Sequence, residues 1–273
     1  GGKLPGTLCY LPEEGKLKMA YKIAIANIKG GIGKTTTAVN LADQLQKRGK
    51  RVLTVDMDPQ RNTTTVYGAK TEGTATVYDI FFADYTAEQC IQHTSFGDII
   101  PNDSELKNAD SSVRTGPAMY KFIKKTLAAV ESSYDYIIFD TPPHNGVLLG
   151  NVLMACNGVI IPIECDLFGV QGLKDLYSTL TEFAEDNEGL RVLGILKVKY
   201  KQKQRLTRNL EDNALPKNAA EMNTKVFNTA IRESVKCREA MIARVPLSEF
   251  APNSTVEQDY SKFTDEVIKE VEG

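Results

Sequence analysis

Eight residues constrain this chain more than any other stretch: Lys29-Gly30-Gly31-Ile32-Gly33-Lys34-Thr35-Thr36. They follow a short apolar run, KIAIAN at 22–27, and open a segment whose apolar residues Ala38, Leu41, Ala42 and Leu45 recur at helical spacing until Gly49 ends it. A strand that turns through three glycines into a helix aims successive backbone N–H groups inward, and the helix adds its positive dipole end. That arrangement holds phosphate oxygens. Gly30, Gly31, Ile32, Gly33, Lys34, Thr35 and Thr36 are therefore the expected cradle, with Lys34 bringing a full charge to the β- and γ-phosphates and the Thr35 hydroxyl placed to ligate Mg²⁺. Two neighbouring patterns fail. A dinucleotide fingerprint requires a third glycine where Thr36 stands, and the usual Walker A loop requires glycine at 28, where the residue is Ile28. A second lysine, Lys29, stands inside the loop instead.

Further strands are expected at RVLTVD (51–56), YDYIIFD (134–140), GVIIPIE (158–164), VLGILKV (192–198) and KVFNTAI (225–231). Helical patterns lie at 116–131, 146–155, 168–186, 204–213 and 254–271. Strands alternating with helices imply an α/β fold, a mostly parallel sheet with helices on both faces, whose ligands bind beyond the carboxyl ends of the strands. With 42% hydrophobic and 25% charged residues the chain is not a disordered or collagen-like protein. Its apolar runs, such as Val159 to Ile163, fall short of the ~18 residues of a membrane helix. Five cysteines form no CxxC pair, which speaks against a zinc site or disulfide framework and for a reducing cytosol; Cys156 and Cys165 read as core thiols. Residues 1–18, GGKLPGTLCYLPEEGKLK, lack the pattern of a signal peptide and are read as an added leader or disordered extension, with a single domain expected over 19–273.

KGGIGKTT resembles the deviant Walker A loop of the ParA/MinD family of phosphate-loop NTPases. The wider stretches ANIKGGIGKTTTAVNLA and VDMDPQRNTT resemble its ParA branch, the partition ATPases that segregate plasmids and chromosomes. The resemblance implies ATP and Mg²⁺ as ligands and a homodimer in the ATP state, in which Lys29 reaches the nucleotide of the other subunit. A triphosphate facing a partner's ammonium favours pairing only while it is present.

Asp56 and Asp58 end the second strand before Pro59, which bars its continuation in a central position. Two acids two residues apart in extended chain share a side. Beside Mg²⁺ and ATP one can hold metal-bound water and the other orient the attacking water; the resemblance gives the water to Asp58 and the metal to Asp56. Asp140 ends a β-branched and aromatic strand and matches the Walker B acid, which reaches Mg²⁺ through water. The segment TPPHNG (141–146) resembles the second switch, with His144 where a small polar residue is expected and no task assigned to it; His93 has no assigned role. No arginine in these motifs acts clearly as a charge-neutralising finger, so intrinsic hydrolysis is expected to be weak and stimulated by a partner.

Residues 191–244 carry thirteen Lys/Arg against five Asp/Glu, a formal +8 in a chain whose total is −2. Lys197, Lys199, Lys201, Lys203, Arg205 and Arg208 form one cluster, and alternation along K-V-K-Y-K-Q-K is expected to put several lysines on one face. A basic face attracts phosphate backbones without reading sequence. The family resemblance makes Arg232, Lys236 and Arg238, in IRESVKCRE, the candidates for non-specific double-stranded DNA binding. It implies a ParB-like centromere-binding partner and a cytoplasmic, nucleoid-associated location with no membrane contact. The alternative, a MinD-like membrane-positioning ATPase, needs a basic amphipathic C-terminal helix, and 245–273 has seven acids against Lys262 and Lys269.

Overall fold

The computed structural model describes residues 19–112, 117–201 and 213–273. Eight strands form one sheet: β1 (Tyr21–Ile25), β2 (Val52–Asp56), β3 (Gln92–Thr94), β4 (Gly97–Ile100), β5 (Tyr136–Asp140), β6 (Gly158–Glu164), β7 (Arg191–Tyr200) and β8 (Val226–Arg232). Their order is β3-β4-β2-β5-β1-β6-β7-β8, and every pairing is parallel except the β3–β4 hairpin at one edge. β1 lies between β5 and β6, so the chain leaves it in one direction and later returns on its other side. The crevice beyond the carboxyl ends of the strands at such a switch point is where α/β sheets bind ligands.

The central strands are apolar at successive positions because both faces are covered. Ile23, Ile25, Tyr136 and Ile138 pack on one face with Leu41 and Leu45 of α1 (Lys34–Lys47) and with Tyr260, Phe263 and Val267 of the C-terminal helix, Thr255–Glu272. Ala24, Ala26, Ile137 and Phe139 face the opposite way, onto Leu148, Leu149 and Val152 of the Val147–Ala155 helix and Leu173, Leu176 and Leu180 of the Leu167–Asp186 helix. The two-residue period of the strands thus sorts one continuous apolar run into two cores. α1 and the C-terminal helix are tied to each other as well: Gln44 donates to Glu257 at 2.7 Å and the Arg48 guanidinium reaches Asp265. Gly49, at φ +76°, closes α1 as expected.

The six expected strands are present. The β3–β4 hairpin and several short helices, among them Asn62–Val66, Val77–Phe82 and Val235–Ala243, were not anticipated. The helix expected over 116–131 is broken into a 3₁₀ turn at Pro117–Tyr120, a helix at Phe122–Leu127 and a 3₁₀ turn at Glu131–Ser133. The expectations for residues 1–18, for the helix at 204–213 and for Lys203, Arg205 and Arg208 lie outside the described residues. Of the lysines expected to share a face along β7, Lys197 and Lys199 stand on either side of buried Val198, with register shifts flanking Lys197 and Lys199 at φ +49°.

Candidate functional site: a phosphate loop ringed by buried carboxylates

The loop between β1 and α1 adopts the turn its glycines permit. Gly31 and Gly33 sit at φ +69° and +89°, the left-handed region that a side chain disfavours, and Gly33 is the residue from which α1 starts. Asn27 holds the loop's entry: its Nδ2 donates to the Pro162 carbonyl at 2.7 Å and its Oδ1 accepts the Lys29 N–H at 2.9 Å. Asn40 holds its exit, donating to the Thr36 carbonyl at 2.7 Å and accepting the Leu247 N–H at 2.9 Å. Neither asparagine was singled out in the sequence, because each ties the loop to a partner remote in the chain, Pro162 for Asn27 and Leu247 for Asn40.

The two loop lysines go to different places. Lys34 turns inward, is only 6% exposed, and its ammonium donates to the Lys29 carbonyl at 3.2 Å. Burial pushes its pKa down, and the negative charges of Asp140 and Asp58 oppose that shift. Lys29 turns outward, its ammonium 3.0 Å from Asp166 and 3.7 Å from Glu164 at the end of β6. Lys199 completes this cluster, 2.5 Å from Glu164 and donating to the Gly31 carbonyl at 2.7 Å. Glu164 and Asp166 carried no signal in the sequence, and Lys199 stood out only as a member of the basic cluster.

Asp56 and Asp140 are paired in register at the ends of β2 and β5, and both are fully buried. The Asp56 carboxylate is committed to its own loop: one oxygen accepts the Thr64 N–H at 2.8 Å and hydroxyl at 2.7 Å, the other the Asp58 N–H at 3.1 Å. Asp58 in turn accepts the Gln60 N–H at 2.9 Å. Asp140 accepts the Thr63 hydroxyl on Oδ2 at 2.8 Å, while its Oδ1 is buried with no hydrogen-bond partner. Burial raises the pKa of all three acids. For Asp56 the Asp140 charge adds to the rise; for Asp140 the Thr35 hydroxyl opposes it and Asp58 adds to it; for Asp58 the Gln60 N–H, Lys34 and His144 oppose it. An orphaned carboxylate oxygen at the foot of a phosphate loop, beside the Thr35 hydroxyl, fits a hydrated divalent cation. Among the described residues no three acid, histidine or cysteine side chains converge as a complete ligand set. That suits Mg²⁺, which keeps several waters and takes phosphate oxygens as ligands rather than an all-protein cage.

A cavity of about 360 Å³ opens beside the loop, lined by Gly31, Ile32 and Gly33 and by Lys199, Arg232 and Arg238. Arg232 is not a free surface cation. Its guanidinium makes a bidentate pair with Asp259, both contacts 2.7 Å, and Asp259 is buried. Lys236 and Arg238 lie on the Val235–Ala243 helix, whose start is capped by the Ser234 hydroxyl. Lys201 pairs with Glu233, and Lys197 lies over the Tyr200 ring at 5.5 Å. His93 bonds Asp98 at 2.6 Å in the β3–β4 hairpin, far in sequence from the loop.

Fold and site together define a Mg²⁺- and ATP-binding phosphate-loop domain. A family model described as an AAA domain matches residues 20–192. The chain is 34% identical to the sporulation initiation inhibitor protein Soj of Bacillus subtilis, covering 91% of this chain and 98% of that one. It is 33% identical to the chromosome-partitioning ATPase Soj of Thermus thermophilus, covering 92% and 96%. Among solved structures, a putative plasmid partition protein of Borrelia burgdorferi bound to AMPPNP superposes with a TM-score of 0.74 at 25% identity, over 92% of this chain and all of that one. A Mycobacterium smegmatis chain named cobyrinic acid a,c-diamide synthase, holding an ATP analogue and magnesium, superposes at 0.76 and 25% identity, over 92% and 95%. The chain belongs to the Soj/ParA family of partition ATPases.

Proposed function

We propose that this chain is an ATP-dependent switch for DNA partition. Two copies close face to face over two ATP molecules, bind double-stranded DNA without sequence preference, and release it after hydrolysis stimulated by a ParB-like partner carried on the cargo. One observation carries the reading: the two loop lysines diverge, Lys34 into its own cradle and Lys29 out of it. A cation that leaves its own phosphate site is suited to serve a neighbour's. Within a subunit Lys34 would neutralise the β- and γ-phosphates, Thr35 would hold Mg²⁺ directly and Asp140 through a metal-bound water, and Asp58 would orient the attacking water. Asp56 acts on the metal through the loop that it fastens. Bound Mg²⁺ supplies charge neutralisation of the phosphates. Basal turnover is slow on this reading, because no arginine in the nucleotide motifs serves as a finger in cis.

DNA contact is assigned to Lys236 and Arg238. Arg232, also a candidate from sequence, spends its charge on Asp259 and contributes chiefly by fixing β8 to the C-terminal helix. The protein works in the cytoplasm on the nucleoid, with residues 19–273 acting as one domain. A MinD-like membrane role is less well supported: the C-terminal helix buries its apolar residues Val256, Tyr260, Phe263 and Val267 in the core, and among the described residues no helix is long and apolar enough to cross a membrane.

The test is sedimentation velocity and DNA mobility shift with ATPγS and Mg²⁺ against ADP and Mg²⁺. Dimer and DNA complex are expected only with the triphosphate. Lys29→Ala should keep nucleotide binding and lose both. A wild-type chain that stays monomeric with saturating ATPγS refutes the proposal.

A further inference from the structure

Four charged side chains meet where the phosphate loop touches the ends of β6 and β7. Lys29 contacts Asp166 at 3.0 Å and Glu164 at 3.7 Å; Lys199 contacts Glu164 at 2.5 Å and the Gly31 carbonyl at 2.7 Å. Among the described residues two cations and two anions alternate here. The geometry is built from remote parts of the chain. Asp166 and Glu164 follow from the end of β6, and Lys199 is turned onto the loop by its left-handed backbone at φ +49°. The Lys29 main chain is fixed independently by Asn27, so only its side chain is free to change partner.

Any contact between the Lys29 ammonium and a second subunit requires that ammonium to leave Asp166. We propose that Asp166 is a positioning residue that latches Lys29 in cis, so that the single chain resists pairing until a triphosphate in the opposing subunit outcompetes one carboxylate. The inference rests on the partition-switch reading and adds to it a threshold set by this chain's own residues. A carboxylate offers one charge where the terminal phosphate offers more, together with several acceptor oxygens, so the exchange runs forward only against the triphosphate. Lys199 keeps Glu164 occupied, which leaves Asp166 as the nearer anion for Lys29.

The size of the effect follows from exposure. Lys29 and Asp166 retain 32% and 39% of their side-chain surface, so solvent screens the pair. Exposed ion pairs contribute ~0.2–1 kcal/mol. Removing one latch should therefore favour release roughly threefold, ~0.7 kcal/mol at ~1.4 kcal/mol per tenfold. A symmetric dimer breaks two latches, and the factor squares to about tenfold.

Two measurements on the full chain test this. The first is amine acylation of the nucleotide-free protein, read by mass spectrometry at Lys29. Asp166→Asn should speed labelling roughly threefold and Asp166→Glu should not; equal rates in wild type and Asp166→Asn overturn the latch. The second is the dimer dissociation constant by sedimentation velocity with ATPγS and Mg²⁺. Asp166→Asn should tighten the dimer about tenfold, and the difference should shrink in about 0.5 M NaCl, where the screening length falls toward ~4 Å. Faster labelling with an unchanged or weaker dimer overturns the proposal, because Asp166 is then a surface partner or part of the interface itself. A wild-type chain that never dimerises refutes the partition reading, and the latch with it, whatever Lys29 labelling shows.

Discussion

The paired acids at the ends of β2 and β5 give the sharpest prediction. Asp56 and Asp140 are both buried and face each other in register. Burial raises both pKa values, with the Asp140 charge adding to the rise at Asp56 and the Asp58 charge adding to the rise at Asp140, whereas the unfolded chain titrates in the ordinary carboxylate range. Across the window between those values the folded state holds protons that the unfolded state has released. Stability of the free protein therefore falls as pH rises from the ordinary carboxylate range toward and past neutrality, and it is not regained above the raised pKa values. Asp140→Asn removes one of the two charges. The Thr63 hydroxyl can still donate to the amide oxygen, while the new amide N–H group, standing where Oδ1 has no partner, costs ~1–3 kcal/mol that the relief of charge must exceed. Each unit of upward shift relieved is worth ~1.4 kcal/mol, and for a chain of this size every kcal/mol moves the melting temperature by about 2–4 °C. In EDTA at pH 8 the variant should therefore melt at least about 2–4 °C above the wild type. At pH 4 that gain should largely vanish. With ATPγS and Mg²⁺ the order should invert, because the wild type alone gains the binding free energy, ~2.7 kcal/mol at a hundredfold excess over Kd. Differential scanning calorimetry in the four conditions decides it. A variant less stable than wild type at pH 8 in EDTA, or a gain independent of pH, would refute the reasoning.

Other expectations follow from single contacts. Arg232→Ala leaves the buried Asp259 carboxylate without its guanidinium and should cost ~1–3 kcal/mol in urea titration, while Lys236→Ala should leave stability unchanged and weaken DNA binding in mobility shift. Phe263→Ala removes a fully buried ring stacked edge-on to Phe227 at 5.0 Å and should destabilise by ~3–5 kcal/mol in the same titration. Cys237, whose thiol is pushed up to about 11 by burial, should react with Ellman's reagent at pH 8 more slowly than free cysteine. Gly33→Ala forces a side chain onto φ +89° and should abolish retention of a fluorescent ATP analogue in equilibrium binding.

The parts of the fold visible in the sequence are those whose cause is local. Strands β1, β2, β5 and β6 are buried almost throughout, so they read as unbroken apolar runs. β4 hides because its four residues, Gly97 to Ile100, bury only two and carry a polar half. The Asn62–Val66 and Val77–Phe82 helices are too short to show a helical period. The same division holds at the site. The phosphate cradle is seven consecutive residues, Gly30 to Thr36, and is legible in the sequence alone. Lys29 and Asp166 are separated by 137 positions, and nothing in either neighbourhood announces the other. The basic region misleads for a related reason: a count of charges is blind to Asp259 beneath Arg232 and to the backbone turn that carries Lys199 onto the loop.

The 360 Å³ hollow beside Gly31 and Gly33 is also lined by Cys237, Arg238 and Met241 of a basic helix. Anything that enters it touches the cradle and that helix in the same instant. The loop and that helix therefore border one hollow, and a side chain changed on either wall alters the space the other one faces.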